Sequence, residues 1–199
     1  MSKGQRLWLI DGSYFYKAAY NSMRDHQLDY VKLRNKVEET GSIWRAYYLN
    51  STTPELEGFF RWLQMAPPSG PKIIVKTYGI RSGDVGSCWC KKCNKLVTPS
   101  CPVCSGYNLS QERQKGVDVG LATLALTLMD HYETLLLSSG DSDLLDVAEY
   151  LCHRGKGFEL LVFRNGVAPE LQSRADHIHW IDDFLDDVKR ERNGNSRTT

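Results

Sequence analysis

Acidic residues follow two apolar segments of this chain and begin one of its amphipathic helices. One apolar run ends at Ile10 and another at Leu137, and each leads within a few residues to aspartate. In a parallel α/β sheet, ligands bind beyond the carboxyl ends of the strands, so acids at strand ends and helix starts converge there. The pattern therefore favours a parallel sheet with one acidic edge. The acids in these positions are Asp11, Asp118, Asp141 and Asp143.

Apolar periodicity predicts alternating strands and helices along most of the chain. Strands are predicted at residues 6–10, 42–49, 72–78, 134–137, 158–163 and 177–180. Helices are predicted at residues 13–24, 53–65, 117–129, 142–153 and 181–190, with a short helix or turn at 169–173. This alternation predicts an α/β fold with a mostly parallel, doubly wound sheet. Core-facing positions in the first helix are expected to be Tyr16, Ala19, Tyr20 and Met23.

Several carboxylates at one edge need a cation. Neighbouring carboxylates repel one another and hold protons unless positive charge neutralises them. Hard oxygen ligands with room for water suit Mg²⁺ or Mn²⁺, so we expect Asp11 to be a central ligand and the other three acids to complete the site. Each acid also has a simpler interpretation on its own, because Asp-Gly is common in turns and Asp is a common helix N-cap.

Three short motifs occur in a fixed order along the chain: Ile10-Asp11-Gly12-Ser13, Lys115-Gly116-Val117-Asp118 and Ser139-Gly140-Asp141-Ser142-Asp143. Together they resemble the NYN/LabA-type branch of the PIN-like nucleases. The resemblance covers residues 6–185, apart from an insert near residues 81–113. It implies a Rossmann-like, three-layer PIN-like sandwich, four acids that bind divalent metal, and RNA cleavage by metal-activated water that leaves a 3′-hydroxyl and a 5′-phosphate.

Four further residues beside these acids are candidates for substrate contact. Lys115 precedes Asp118 by three residues and could hold a phosphate, and Ser139 or Ser13 could orient a water or a phosphate oxygen. Tyr14 could stack a base, since aromatic side chains suit single strands. A solvated lysine, loop-forming serines and a packed tyrosine are the simpler alternatives.

One position departs from the family pattern. Many relatives have Asn two residues after the Gly of the first motif, where this chain has Tyr14. This difference supports an alternative in which the chain is a catalytically weak or inactive RNA-binding or assembly module. A phosphatase of the haloacid dehalogenase type also begins with an acid after the first strand. That chemistry needs Asp two residues later, and Ser13 stands there.

The cysteines predict a second metal site in the insert. Cys90-x-x-Cys93 and Cys101-x-x-Cys104 are two knuckles joined by a short spacer. Thiolates at this spacing form closed tetrahedral zinc sites, which are structural. Disulfides are the alternative, but they need an oxidising compartment. Cys88 could substitute for Cys90 as a ligand.

Charge in the insert suggests where RNA would bind. The chain has a formal net charge of +1, so attraction to nucleic acid must come from local patches. Lys91, Lys92 and Lys95 lie beside the knuckles and could grip the RNA backbone, with Trp89 and Tyr107 stacking on bases. The partner is expected to be a single-stranded or structured RNA. The insert could also contact a second copy of the chain or another protein.

The expected organisation is one nuclease domain over residues 1–190, with a zinc insert at 83–110 and a disordered tail at 191–199. No apolar run approaches the roughly 20 residues that span a membrane. The first residues lead directly into a strand without a signal-peptide core, so the default expectation is a cytoplasmic protein.

Overall fold

The computed structural model describes residues 5–23, 27–51, 54–106, 109–114 and 116–190. The tail at 191–199, predicted to be disordered, lies outside the described residues. Lys115 and Tyr107 do as well, so the roles suggested for them remain expectations.

Within these residues six strands form one sheet in the order β10-β9-β8-β1-β2-β3, and every pair of neighbours is parallel. The predicted α/β fold with a parallel central sheet is confirmed. The strands are β1 (Arg6–Asp11), β2 (Ile43–Ser51), β3 (Ile74–Tyr78), β8 (Thr134–Ser138), β9 (Gly157–Val162) and β10 (His177–Trp180). The helices are α1 (Gly12–Met23), α2 (Tyr30–Glu38), α3 (Glu57–Gln64), α4 (Val117–Thr127), α5 (Leu145–His153), α6 (Pro169–Arg174) and α7 (Leu185–Val188).

Helices cover both faces of the sheet, because its central strand is apolar on both sides. All six residues of β1 are buried. Leu7 and Leu9 belong to one core cluster together with α4, α5 and α6, whereas Trp8 and Ile10 belong to another with α1, α2 and α3. The Trp8 indole N–H donates to the Ser138 hydroxyl at 2.9 Å, which satisfies its one polar atom inside the core. The result is a three-layer sandwich.

The predicted core face of α1 is wrong for two of its four residues, Tyr16 and Tyr20. The buried residues of α1 are Gly12, Phe15, Ala18 and Met23. Tyr16 and Tyr20 are largely exposed, whereas Ala19 is partly buried and packs against the core as predicted. Tyr16 and Tyr20 have the same four-residue spacing as a buried stripe, so periodicity alone did not decide which face is inward. Phe15 has no polar atom and takes the buried position, where it contacts Tyr30 and Phe163.

Two other helices differ from the sequence prediction. Helix α2 was missed, because it has only three buried residues in a strongly charged segment. Its start has a clear cap, since Asp29 Oδ1 accepts from the N–H groups of Val31 and Lys32. The single helix predicted at 181–190 is instead a 3₁₀ turn, Ile181–Phe184, followed by α7, and it ends at Val188.

The insert between β3 and α4 is a ladder with a hairpin beyond it. Strands β4 (Ile80–Asp84) and β7 (Ser110–Gln114) pair antiparallel, with Ile80 opposite Gln114 and Asp84 opposite Ser110. Beyond this ladder, β5 (Cys88–Cys90) and β6 (Lys95–Val97) form the hairpin that carries the first knuckle. The insert therefore leaves and rejoins the domain at neighbouring points.

Every helix in the described part of the chain is too short or too polar to cross a lipid bilayer.

Candidate active site

Asp11 is the buried centre of the acidic edge. It is the last residue of β1, and 8% of its surface is exposed. Because α1 begins at the next residue, the backbone N–H groups of Ser13 and Tyr14 point back at its side chain. They donate to Oδ1 at 3.0 and 3.2 Å. Asp11 thus lies at the N-terminus of α1, where the helix dipole favours negative charge.

Ser139 links the loop after β8 to Asp11. Strands β1 and β8 are parallel neighbours with Ile10 opposite Ser138, so the loops that follow them emerge side by side. The hydroxyl of Ser139 is fully buried and donates to Asp11 Oδ2 at 3.3 Å. It also accepts from the Asp141 N–H at 3.3 Å. Both carboxylate oxygens of Asp11 are therefore oriented by the protein.

Asp141 and Asp143 extend this edge toward solvent, and both are exposed. Asp141 Oδ1 accepts from the Asp143 N–H at 3.0 Å and caps the 3₁₀ turn Ser142–Leu144. The capping interpretation of Asp141 thus holds, and it leaves the second oxygen of its carboxylate available to a ligand.

Asp118 faces these residues from the first turn of α4. Burial raises its pKa, and repulsion from Asp141 and Asp143 adds to the effect. Burial also raises the pKa of Asp11, and the charge of Asp118 raises it further against the opposing hydrogen bonds. The four predicted acids therefore share one electrostatic environment. As the side chains stand, no three His, Cys, Asp or Glu residues within the described ranges are close enough together to hold a metal ion.

Gly140 lets the loop with Ser139 and Asp141 lie directly against the loop after β9. A Cβ atom at residue 140 would come within 1.8 Å of the Gly166 carbonyl oxygen, so a side chain would push the two loops apart. The Ala168 N–H donates to the Gly140 carbonyl at 3.0 Å and holds them together. The position of Ser139 thus depends on glycine at the next residue.

Tyr14 is packed into the site. Its hydroxyl donates to the Phe163 carbonyl at 3.3 Å, and its ring lies beside Gly140 and Gly166. Burial raises the pKa of the Tyr14 phenol far above its ordinary value, so the group stays protonated. These contacts favour the simpler packing role over the suggested base stacking.

Asn50 is a polar residue of this edge that sequence reasoning missed. It lies at the carboxyl end of β2, one residue beyond the partner of Asp11 in the sheet register. Its Oδ1 accepts from the Ser13 hydroxyl at 3.3 Å and from the Ser51 N–H at 2.8 Å. Applying the strand-end rule to the end of β2 as well would have found it.

The two cysteine knuckles have the same backbone geometry. In each one, the residue after the second cysteine has a left-handed conformation, Asn94 at φ 58° and Ser105 at φ 57°. The Asn94 N–H donates to the Cys90 carbonyl at 2.8 Å, and the Ser105 N–H donates to the Cys101 carbonyl at 2.8 Å. The turns therefore match, although they differ in sequence.

Each knuckle also directs N–H groups at its first sulfur. The pKa of Cys90 is lowered by the Cys93 N–H first, then by the Cys93 thiol and the Lys92 N–H. The pKa of Cys101 is lowered in the same way by the N–H groups of Cys104 and Val103 and by the Cys104 thiol. The three nearby lysines, Lys91, Lys92 and Lys95, are exposed.

Comparison with solved structures supports the fold. A protein of unknown function from Vibrio parahaemolyticus RIMD 2210633 has a TM-score of 0.64 and 18% sequence identity, over 94% of this chain and 97% of that chain. A Sir2 protein, solved with the inhibitor EX-527, 2′-O-acetyl-ADP-ribose and a deacetylated p53 peptide, has 12% identity over 92% of this chain and 90% of that chain. Its TM-score of 0.41 is too low to carry an argument. A search of curated proteins gave no match.

The sequence also matches the NYN domain over residues 7–182. That range contains the six strands of the central sheet, apart from the first residue of β1, and all four aspartates of the acidic edge. NYN domains are typically nucleases with RNA-related functions. The predicted resemblance is thereby confirmed at the level of the family. The chain belongs to the NYN domain family, within the PIN-like nucleases.

Proposed function

We propose that this protein is a divalent-metal-dependent endoribonuclease whose reaction centre is the acidic edge around Asp11. The observation that carries the proposal is the orientation of this buried carboxylate by hydrogen bonds from Ser139, Ser13 and Tyr14. Burial of a carboxylate costs free energy unless a partner stabilises its charge. The neighbour of Asp11 is a second acid, Asp118, so a cation is the partner that fits both.

Asp11, Asp118, Asp141 and Asp143 would hold Mg²⁺ or Mn²⁺. Their oxygens are the hard donors that these ions prefer, and the exposure of Asp141 and Asp143 leaves a path for substrate. Such an ion supplies an activated water nucleophile and offsets the charge that develops on the phosphate.

The surrounding residues have positioning roles in this proposal. Ser139 and the first N–H groups of α1 hold the Asp11 carboxylate in one orientation, and Gly140 keeps the Ser139 loop against its neighbour. Asn50 accepts a hydrogen bond from the Ser13 hydroxyl and so orients this hydroxyl beside Asp11. Lys115 would contact a substrate phosphate, since it precedes the helix that carries Asp118.

The test is cleavage of defined RNAs by pure protein. Circular and linear RNA, with DNA of the same sequence, would be incubated with Mg²⁺, Mn²⁺ or chelator. We expect the circular RNA to be opened only when a divalent ion is present, with 5′-phosphate ends. Loss of the linear RNA alone would indicate an exonuclease. Equal cleavage in chelator would contradict the metal dependence.

A second candidate is an RNA-binding module with weak or no catalysis. The packing of Tyr14 favours it, because a tyrosine ring takes the place where many relatives have Asn. The same incubations distinguish the candidates, since this module would retain RNA in a binding assay and leave it intact with every ion.

For the insert we propose a structural zinc site formed by Cys90, Cys93, Cys101 and Cys104. Two observations support this site. The chain offers four thiols as zinc ligands, and the two knuckles have matching turns that direct N–H groups at the first sulfur of each pair. Four thiolates leave no open position on zinc, so this site would organise the insert and not take part in cleavage.

Residues 1–190 would be one nuclease domain, with the zinc insert at 83–110 and a disordered tail at 191–199. The protein would act on cytoplasmic RNA.

In the insert, Lys91, Lys92 and Lys95 would contact the RNA backbone, and Trp89, which is 60% exposed, would lie beside it. The insert also exposes Leu96, Val97 and Val103, and could contact a second copy or a protein partner through them.

A further inference from the structure

Two tyrosines of α1 project into solvent on the helix that begins at the acidic edge. Tyr16 is 68% exposed and Tyr20 is 66% exposed. Their ring centroids lie 6.5 Å apart, and the ring planes are inclined by 24°. Residues four apart lie on one face of a helix, one turn from each other. The two rings therefore form a nearly parallel pair along the outside of α1.

This pair is continuous with the proposed reaction centre. Helix α1 starts directly after Asp11, so at about 1.5 Å per residue Tyr16 lies roughly 7 Å farther along the axis. Ser13 and Lys17 lie on the same face, three residues from Tyr16 and Tyr20 respectively. A strand that left the acidic edge along α1 would meet Ser13 first and the two rings next.

The chemistry of this face suits a nucleic acid strand. Helix α1 contains no Asp or Glu, and its one charged residue, Lys17, is exposed. A polyanion can therefore approach without repulsion from the helix itself. The two ring planes differ by only 24°, so the exposed rings face in similar directions and suit neighbouring bases of one strand. Aromatic rings are platforms for unpaired bases of any sequence.

We propose that Tyr16 and Tyr20 form a stacking platform for bases of single-stranded RNA that flank the bond held at the acidic edge. The identity of that strand as the substrate rests on the proposed function. The platform makes the protein selective for unpaired RNA, because the bases of a duplex are stacked on one another and cannot reach the two rings.

The test is the affinity for a fluorescent single-stranded RNA in Mg²⁺. It is measured in an Asp141→Asn background, which keeps the RNA intact. Replacement of both tyrosines by Ala should weaken binding about tenfold for each ring, whereas replacement of both by Phe should leave affinity within about twofold. Tyr150→Ala is the matched control, because Tyr150 is 45% exposed on α5 in the opposite layer.

The outcomes separate this inference from the proposed function. Weaker binding by the Ala variant, with normal binding by the Phe and Tyr150 variants, supports the platform even if the parent protein cleaves no RNA. Unchanged affinity in the Ala variant overturns it, as does a parent protein that binds no RNA. Equal loss in the Ala and Phe variants also overturns it, because the contact would then depend on the hydroxyl groups. Cleavage by the parent protein is scored separately and decides only the proposed function.

Discussion

The hydroxyl of Ser139 donates to Asp11 Oδ2 at 3.3 Å, and both residues are buried where β1 and β8 end side by side. The contact joins residues from distant parts of the sequence and orients the most buried acid of the site. It makes Asp11 the residue on which the proposed chemistry depends most.

Replacement of Asp11 by Asn should abolish RNA cleavage and leave the fold intact. The amide keeps an oxygen for the N–H groups of Ser13 and Tyr14 but removes the charge that would hold a metal ion. The change also removes an acid that is buried beside Asp118, so melting in metal-free buffer should occur at the same temperature or higher. Asp141→Asn should lose activity in the same way.

Asp130→Asn is the matched control for these two variants. Asp130 is exposed in the 3₁₀ turn Met129–His131, which precedes β8 and therefore lies at the opposite edge of the sheet. It should keep full activity. Full activity in Asp11→Asn would refute its assignment as the central ligand, and a large loss of stability would show that its charge serves the fold.

Protein purified without added zinc should contain about one zinc ion per chain. Elemental analysis measures this directly. Replacement of Cys101 and Cys104 together by Ser should remove the ion, because only one knuckle remains, whereas Cys152→Ser on α5 should not change it. A zinc content near zero in the parent, or an unchanged content in the double variant, would exclude the site.

Neutralisation of Lys91, Lys92 and Lys95 to Ala should weaken RNA binding without removing the chemistry. For a single strand, each lost phosphate contact should flatten the dependence of log affinity on log salt by roughly 0.7. The single-turnover rate at saturating RNA should change little, because the acids are untouched. Arg61→Ala with Arg154→Ala, two exposed charges outside the insert, is the control. An unchanged salt slope in the triple variant would mean that RNA runs elsewhere.

Glu159 should stabilise the fold near neutral pH and lose this effect in acid. Its carboxylate lies 2.8 Å from Arg6 Nη2 and 2.9 Å from His179 Nε2. Burial alone would raise the pKa of Glu159, but the contacts with His179 and Arg6 outweigh it, so the pKa lies below the ordinary 4.5. An acid with a lowered pKa in the folded state contributes stability above its unfolded pKa, and that stability is lost as the pH falls through the folded value.

Glu159→Gln should therefore lower the free energy of unfolding by about 3 kcal/mol near pH 7, because it leaves the buried Arg6 guanidinium without an opposite charge. Urea denaturation across a pH series should show the difference shrinking below about pH 4.5. Glu149→Gln is the control, since its pair with Arg174 is at the surface and should contribute at most about 1 kcal/mol. A constant difference at every pH would mean that packing, and not charge, explains the loss.

The acidic edge could be predicted because it follows from topology. Once the strands around Ile10 and Leu137 are parallel neighbours, the acids that follow them lie at the same edge of the sheet, whatever the details of the loops. The same rule applied to the end of β2 would have included Asn50. The packing of Tyr14 could not be predicted, because it depends on how closely the loops at Gly140 and Gly166 approach each other.

Helix faces were harder to predict than strand ends. In α1 the pair Tyr16 and Tyr20 has the same spacing as a buried stripe, and only the position of Phe15 against Tyr30 and Phe163 shows which side is inward. In α2 the cap at Asp29 was a readable signal, but three apolar residues were too few to stand out in a charged segment. Both errors concern choices that the local sequence leaves open: which face of α1 is buried, and whether the charged segment of α2 is helical. Contacts with distant parts of the chain make these choices.

The antiparallel ladder of β4 and β7 has a consequence for the evolution of this protein. The two strands bring Ile80 and Gln114 together at the base, so a short turn there could replace everything beyond it without moving β3 or α4. A segment attached in this way can be gained, lost or exchanged without refolding the domain that carries it. Natural selection could therefore change the insert while leaving the acidic edge as it is.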